Sequence, residues 1–220
     1  MKNNDIRAKA FVLRRTNYGE ADRIVNFLTP QGKIAVIAKG VRREKSKLAG
    51  GIEMFCLSEI TVHQSQKSNL GILTSARIQK TYPNIITNLT TLELASKILK
   101  MTNRASEDVK NEVFFDLVQQ SFEAIDKGVN LQLVETWFKL NLEQAIGNPI
   151  NFYRDTNGDK LDPEQKYFWD AVENALRPDP QGNFSANEIK LARLLMTNKL
   201  STATRVQNIT DFLPALAVIV

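Results

Sequence analysis

The sequence has almost none of the residues on which metal centres and nucleophilic active sites are usually built. Its 220 residues include one cysteine, Cys56, and one histidine, His63. Disulfide frameworks and structural zinc sites of the four-cysteine or mixed cysteine–histidine type are therefore excluded, since the chain does not contain their ligands. A catalytic triad would have to use His63, seven residues from Cys56 on what reads as one strand, where the two side chains would project to opposite faces. We expect no catalytic residue, no cofactor and a reducing, cytoplasmic compartment.

Long apolar runs are also missing. The longest stretch, Phe212 to Val220, is interrupted by Pro214 and is far shorter than the roughly 20 residues that span a bilayer. The N-terminus, Met1 to Asp5, lacks the apolar segment of a signal peptide. We therefore expect no membrane partner.

Charge is unevenly distributed along the chain. The formal net charge is only +5. Residues 1–83, however, carry 15 Lys and Arg against 6 Asp and Glu, a net charge of +9, whereas residues 84–220 carry 14 against 18, a net charge of −4. This asymmetry indicates a polyanionic partner for the first part of the chain alone.

Alternation with period two marks the first 80 residues as strands. Turn signals separate the runs, at Asn17-Tyr18-Gly19, Pro30-Gln31-Gly32, Gly50-Gly51 and Lys67-Ser68-Asn69. The five predicted strands are Ala8 to Leu13, Asp22 to Leu28, Lys33 to Lys39, a run from Cys56 and a run from Leu70. Strands this short predict a five-stranded antiparallel β-barrel, which closes and leaves no exposed edge.

After Tyr82-Pro83 the apolar period becomes helical. The predicted helices are Asn88 to Asn103, one capped by Ser106, one capped by Asn130, one starting at Asp162-Pro163, one with a Ser185–Glu188 capping box, and a short one from Thr210. Strands followed by helices predict an α+β protein of two domains, a barrel over residues 1–83 and an all-α helical domain over residues 84–220.

The strongest candidate site is a basic segment beginning in the third strand. Counterion release favours the binding of nucleic-acid phosphates to such a patch, without any contact to bases. The alternative is a solvated loop held apart by like charges. The segment contains Lys33, Lys39, Arg42, Arg43, Lys45 and Lys47 against Glu44, and Arg14, Arg15 and Arg23 in neighbouring strands extend it. Tyr18, Phe27 and Phe55 are aromatic residues nearby that either stack on bases or belong to the core.

Two further patterns are weaker. Asp155, Asn157 and Asp159 resemble the opening of a calcium loop, but Lys160 and Lys166 stand where glycine and glutamate are needed, so we expect a turn and no metal site. Helical aromatic residues indicate either core packing or a groove for a partner's peptide. These aromatic residues are Trp137, Phe138, Phe168 and Trp169.

Several blocks of the basic region resemble a known family. They are Leu13 to Val25 (LRRTNYGEADRIV), Leu28-Thr29, Gly32-Lys33-Ile34, Ala38 to Arg43 (AKGVRR) and Lys45 to Gly50 (KSKLAG). Their order and spacing resemble the N-terminal domain of the RecO family of bacterial recombination mediators. The resemblance implies an OB-fold at the N-terminus followed by a helical C-terminal domain.

The resemblance also implies a function. RecO proteins bind single- and double-stranded DNA, anneal complementary strands, and work with RecR to load RecA onto DNA coated by the single-strand-binding protein. The helical domain of some relatives receives the acidic C-terminal tail of that protein. A protein- or RNA-binding adaptor without annealing activity is the alternative. The implied DNA contacts are Arg14, Arg15, Arg23, Lys39, Arg42, Arg43, Lys45 and Lys47, to which the basic run adds Lys33.

The chain departs from the family in one chemical respect. Many relatives carry two Cys-x-x-Cys pairs in the helical domain, which bind zinc. The corresponding region here, residues 148–185, contains no cysteine, so that zinc site is excluded. We expect the loop at Asp155–Asp159 to take its structural place.

Overall fold

The computed structural model describes residues 5–64, 70–109 and 112–219. It divides into two compact units, Met1–Phe122 and Glu123–Val220. The turn expected at Lys67-Ser68-Asn69 lies outside the described residues.

The first unit is built on a five-stranded, OB-like closed barrel, as the sequence predicted. Its strands are β1 (Asp5–Tyr18), β2 (Asp22–Thr29), β3 (Gly32–Ala38), β4 (Cys56–His63) and β5 (Gly71–Thr81), joined in the order β1-β2-β3-β5-β4. Two details differ from the prediction. β1 is longer than Ala8 to Leu13 because it first pairs with β4 and then with β2 along its length. β3 and β5 run parallel, with Ile37 opposite Ile72, so the barrel is mixed and not wholly antiparallel.

The interior of the barrel is filled by alternating apolar residues, among them Val25, Val36 and Ile60. A short 3-10 helix, Gly50–Ile52, packs beside them and buries Ile52 completely. Gly51 allows this close approach, because a Cβ atom there would lie 2.3 Å from the backbone of Ala76.

One helix and most of a second belong to the same unit as the barrel. The first, α1 (Leu89–Asp108), begins at Asn88, whose side chain accepts a hydrogen bond from the amide of Thr90. The second, α2 (Val113–Asp126), places the ring of Phe122 5.5 Å from that of Phe11 on β1. The prediction that Ser106 caps a second helix is wrong. Ser106 lies inside α1 and donates its hydroxyl to the carbonyl of Asn103.

The predicted domain boundary at residues 83–84 remains a prediction. The secondary structure does change there, since β5 ends at Thr81 and a 3-10 helix spans Pro83–Ile85. The two compact units nevertheless divide within α2, after Phe122.

The second unit contains helices α3 (Leu131–Ala145), α4 (Ala186–Thr197), α5 (Leu200–Ala203) and α6 (Ile209–Leu216). Asn130 caps α3 by accepting from the amide of Leu133, and Ser185 and Glu188 form the predicted capping box of α4.

The helix predicted from Asp162-Pro163 is wrong, so the region is not entirely α-helical. A three-stranded sheet, in the order β6-β8-β7, is formed by β6 (Asn151–Asp155), β7 (Tyr167–Asp170) and β8 (Ala175–Pro178). The carboxylate of Asp170 accepts from the amides of Val172 and Glu173 and turns the chain between β7 and β8. Two strands joined by this turn produced an apolar spacing that resembles a helical stripe.

None of the helices in the described part of the chain is long and apolar enough to cross a membrane.

Candidate nucleic-acid interface

The basic segment forms a loop, residues 39–49, between β3 and the first 3-10 helix; we call it the basic loop. The amide of Gly40 donates to the Asp22 carboxylate at 2.6 Å, and the amide of Arg42 donates to the carbonyl of Ala21 at 2.8 Å. Gly40 has a φ of 63°, which favours glycine at this position. Hydrogen bonds from the loop's backbone therefore hold it against the β1–β2 turn.

Five cations of the basic loop are exposed, and Glu44 is its one carboxylate. The guanidinium of Arg42 donates to the carbonyl of Gly19 at 3.3 Å, which directs it over the β1–β2 turn. Lys39, Arg43, Lys45 and Lys47 form no ion pair within residues 5–64, 70–109 and 112–219, so their charges are available to an anion. The five cations are Lys39, Arg42, Arg43, Lys45 and Lys47.

The β1–β2 hairpin extends this surface with an aromatic ring and further cations. Tyr18, the last residue of β1, is 54% exposed, whereas Phe27 is fully buried and Phe55 packs on Phe122. Arg23 donates to the side-chain oxygen of Asn17 at 3.1 Å. Arg14 is exposed on β1. Tyr18 is therefore the one of the three candidate aromatic residues that is positioned to stack on a base.

Two of the predicted contacts are engaged elsewhere. The guanidinium of Arg15 donates to the carbonyl of Ile52 at 3.2 Å and pairs with Glu53 at 3.1 Å. The ammonium of Lys33 donates to the carbonyl of Asn103 in α1 at 3.1 Å. Lys33 also lies at the opposite end of β3 from Lys39, about 20 Å away for six residues of strand. Both side chains are therefore already partnered within the protein.

A second group of cations on the barrel was missed by the sequence reasoning. The guanidinium of Arg7 binds both carboxylate oxygens of Glu59, at 2.8 and 2.9 Å. Lys9 and Arg77 lie opposite Glu59 on the two neighbouring strands. The hydrogen bond from Arg7 and the three positive charges lower the pKa of Glu59. No sequence signal pointed to this group, since strand pairing brings together residues more than 50 positions apart.

The structure describes no group of three or more His, Cys, Asp or Glu side chains that could hold a metal ion, within residues 5–64, 70–109 and 112–219. Asp155 accepts from the amides of Asn157 and Asp159, which confirms the interpretation of this loop as a turn. Apolar residues occupy the interior of the region, residues 148–185, where the resemblance implied a zinc site, so the residues present do not fit that metal. They include the buried side chains of Phe152, Tyr167, Leu176 and Phe184.

The aromatic residues of the second unit divide between core and surface. Trp137 and Phe138 are buried, and the indole of Trp137 donates to the carbonyl of Asn198. Phe168 is 36% exposed, and Trp169 is half-buried. Core packing is therefore confirmed for Trp137 and Phe138.

A shallow cleft of about 390 Å³ lies beside the sheet of the second unit. Arg193 donates to the carbonyl of Phe152 and places its guanidinium 4.8 Å from the centre of the Tyr153 ring. The cleft therefore presents an exposed aromatic residue together with three cations. It is lined by Tyr153, Arg154, Lys160, Leu161 and Arg193.

Comparison with known proteins gives one consistent result. The family models described as "Recombination protein O N terminal" and "Recombination protein O C terminal" match residues 1–82 and 87–215. The protein named "DNA repair protein RecO" of Dehalococcoides mccartyi strain CBDB1 is 28% identical over 214 residues, covering 94% of this chain and 84% of that protein. The one from Roseiflexus sp. strain RS-1 is 28% identical over 208 residues, covering 91% and 73%. Because the two models span nearly all of the sequence, the chain belongs to the RecO family of DNA repair proteins.

Proposed function

We propose that this protein binds single- and double-stranded DNA through the basic loop and the β1–β2 hairpin, and anneals complementary strands. The observation that carries the proposal is the group of exposed cations on a loop whose path is set by backbone hydrogen bonds. Such a surface binds phosphates without the loss of conformational entropy that would accompany ordering of the loop. The proposed place of action is the bacterial cytoplasm, on the nucleoid.

Annealing by this surface needs no catalytic residue and no cofactor. Two strands repel each other through their phosphates, and cations placed between them reduce that repulsion so that base pairing can nucleate. The exposed ring of Tyr18 adds a platform for an unpaired base, which favours single strands over duplex.

Salt-dependent binding of a labelled single strand tests this proposal. The variant Arg42→Gln/Arg43→Gln/Lys45→Gln/Lys47→Gln should reduce the slope of log K against log salt by about 2.8, at about 0.7 per lost phosphate contact. If the two proteins bind equally at 1 M salt, this difference in slope makes the variant bind about 600-fold more weakly than the unmodified protein at 0.1 M salt. Binding that is unchanged in this variant would refute the assignment of the loop.

A matched control removes the same number of exposed cations from the second unit. It is Lys127→Gln/Lys190→Gln/Lys199→Gln/Arg205→Gln. We expect its salt slope to match that of the unmodified protein, because these residues lie outside the proposed interface. If both variants lose affinity equally, net charge and not the basic loop determines binding. Failure of the unmodified protein to bind DNA would favour the alternative, a protein- or RNA-binding adaptor.

We extend the proposal to two protein partners. The cleft at Tyr153 offers cations and an aromatic ring to an acidic segment, such as the C-terminal tail of the single-strand-binding protein. Arg154→Glu/Lys160→Glu should abolish binding of the labelled tail peptide, with Lys190→Glu/Arg205→Glu as the control. Equal binding by both variants would exclude the cleft. Partnership with RecR in loading RecA is tested by co-sedimentation of the two purified proteins.

A further inference from the structure

The outer surface of β1, β4 and β5 carries the second group of cations. We propose that this surface, which we call the β4 face, holds a second nucleic-acid strand while the basic loop holds the first. The inference rests on the proposed function, since it supplies the site for the strand to be annealed. The β4 face consists of Arg7, Lys9, Glu59, Thr61, Ser75 and Arg77.

Strand register brings these residues to one side of the sheet. Lys9 pairs with Glu59, and Glu59 pairs with Arg77 on the other neighbouring strand. Two residues further along β4, Thr61 pairs with Arg7 and with Ser75. Because side chains alternate between the faces of a strand, these two rows share a face. The intervening row contains Ile60 and Ala76, which point into the barrel core.

Both oxygens of the single carboxylate of the β4 face, Glu59, accept hydrogen bonds from one cation. Arg7 occupies both oxygens of Glu59 in a bidentate pair. Lys9 and Arg77 are exposed and make no hydrogen bond within the described residues, so the face retains two net positive charges. The hydroxyls of Thr61 and Ser75 lie in the adjacent row and are groups that hydrogen-bond phosphate oxygens.

The β4 face and the β1–β2 hairpin lie far apart along β1. Tyr18 is nine residues further along β1 than Lys9, a strand path of about 30 Å. The Debye length at physiological salt is only about 8 Å. Two strands held at these surfaces would therefore repel each other weakly.

Two such surfaces on one molecule would raise the local concentration of the second strand near the first. The cations and hydroxyls of the β4 face would contact phosphates and not bases, so the second strand would be bound whatever its sequence. Pairing would then be tested between strands bound to the same protein molecule.

Capture of a non-complementary strand separates this inference from the proposed function. A biotinylated oligothymidine is fixed to beads, the full chain is bound to it, and retention of a fluorescent oligothymidine is measured at 0.1 M salt. Lys9→Gln/Arg77→Gln should leave affinity for the first strand unchanged and reduce retention of the second by about 25-fold, from two phosphate contacts. Glu59→Gln, which removes the carboxylate, should increase retention of the second strand.

Each result has a distinct meaning. Equal retention of the second strand by the unmodified protein and Lys9→Gln/Arg77→Gln would overturn the inference while leaving DNA binding by the basic loop intact. Loss of first-strand affinity in Lys9→Gln/Arg77→Gln by the same factor would also overturn it, because one strand would then follow both surfaces. Failure of the unmodified protein to bind even the first strand would refute the proposed function itself. Lys190→Gln/Arg205→Gln is the matched control and should retain both strands.

Discussion

Replacing Lys33 by methionine tests whether this cation stabilises the fold or binds DNA. The side chain of Lys33 is 16% exposed, and its ammonium donates to the carbonyl of Asn103. Hydrogen bonds to charged groups contribute about 1.5–3 kcal/mol to stability. The hydroxyl of Ser106 donates to the same carbonyl, so this carbonyl keeps a hydrogen-bond partner in the variant. We therefore expect a loss of stability at the lower end of that range. Glu107 is 60% exposed, so its pairing with Lys33 adds no more than about 0.5 kcal/mol.

We therefore expect Lys33→Met to reduce the free energy of unfolding by about 1.5 kcal/mol. Its salt slope for DNA binding should be unchanged, because the ammonium is already engaged. Lys39→Met is the reciprocal control, since Lys39 is exposed and unpaired among the described residues. It should lower the salt slope by about 0.7 and change stability by less than about 0.5 kcal/mol.

Urea unfolding followed by circular dichroism measures the stability, and fluorescence anisotropy at several salt concentrations measures the slope. The reasoning fails if Lys33→Met lowers the salt slope as Lys39→Met does while the unfolding midpoint stays in place. That result would mean that Lys33 leaves α1 and contacts phosphate when DNA binds.

Three further predictions follow from other parts of the molecule. Tyr18→Ala should weaken single-strand binding by about 1–3 kcal/mol in an anisotropy titration, whereas Tyr18→Phe keeps the ring and should bind normally; equal binding by Tyr18→Ala would exclude stacking. The pKa of Glu59 is lowered in the folded protein, so stability from its pairing with Arg7 is present above the unfolded pKa and lost as pH falls through the folded one. Stabilities of the unmodified protein and Glu59→Gln, measured by urea unfolding, should therefore converge as the pH is lowered, and a constant difference would contradict the pairing. Ser185→Ala removes the cap that accepts from the amide of Asn187 and should cost about 1 kcal/mol by thermal unfolding, while Ser185→Asn should restore most of it.

Local sequence signals predicted the features that depend on neighbouring residues. The turn at Gly19, the cap at Asn130 and the capping box at Ser185 are short-range patterns, and each is present in the structure. The basic loop was found because its cations are consecutive or nearly so.

The features that the sequence did not reveal depend on long-range register or on competition between patterns. The β4 face joins Lys9, Glu59 and Arg77, which only the pairing of three strands brings together. The engagement of Lys33 depends on where α1 packs against the barrel, which no pattern around Lys33 specifies. The strand pair β7–β8 was misread because its apolar spacing across a turn imitates a helix, and cross-strand partners such as Trp169 and Leu176 are invisible in the sequence.

The sheet of the second unit is packed with apolar side chains, and residues 148–185 contain no cysteine. A region built on two Cys-x-x-Cys pairs would link its folding to the free metal concentration and to the oxidation state of four thiols. Here Phe152, Tyr167 and Leu176 are buried, and a chelator does not remove the stabilisation that comes from apolar burial. The one thiol of the chain, Cys56, has its pKa raised by burial and by the charge of Glu53, so it stays protonated and reacts slowly. We therefore expect a chelator to leave the unfolding midpoint of this protein unchanged.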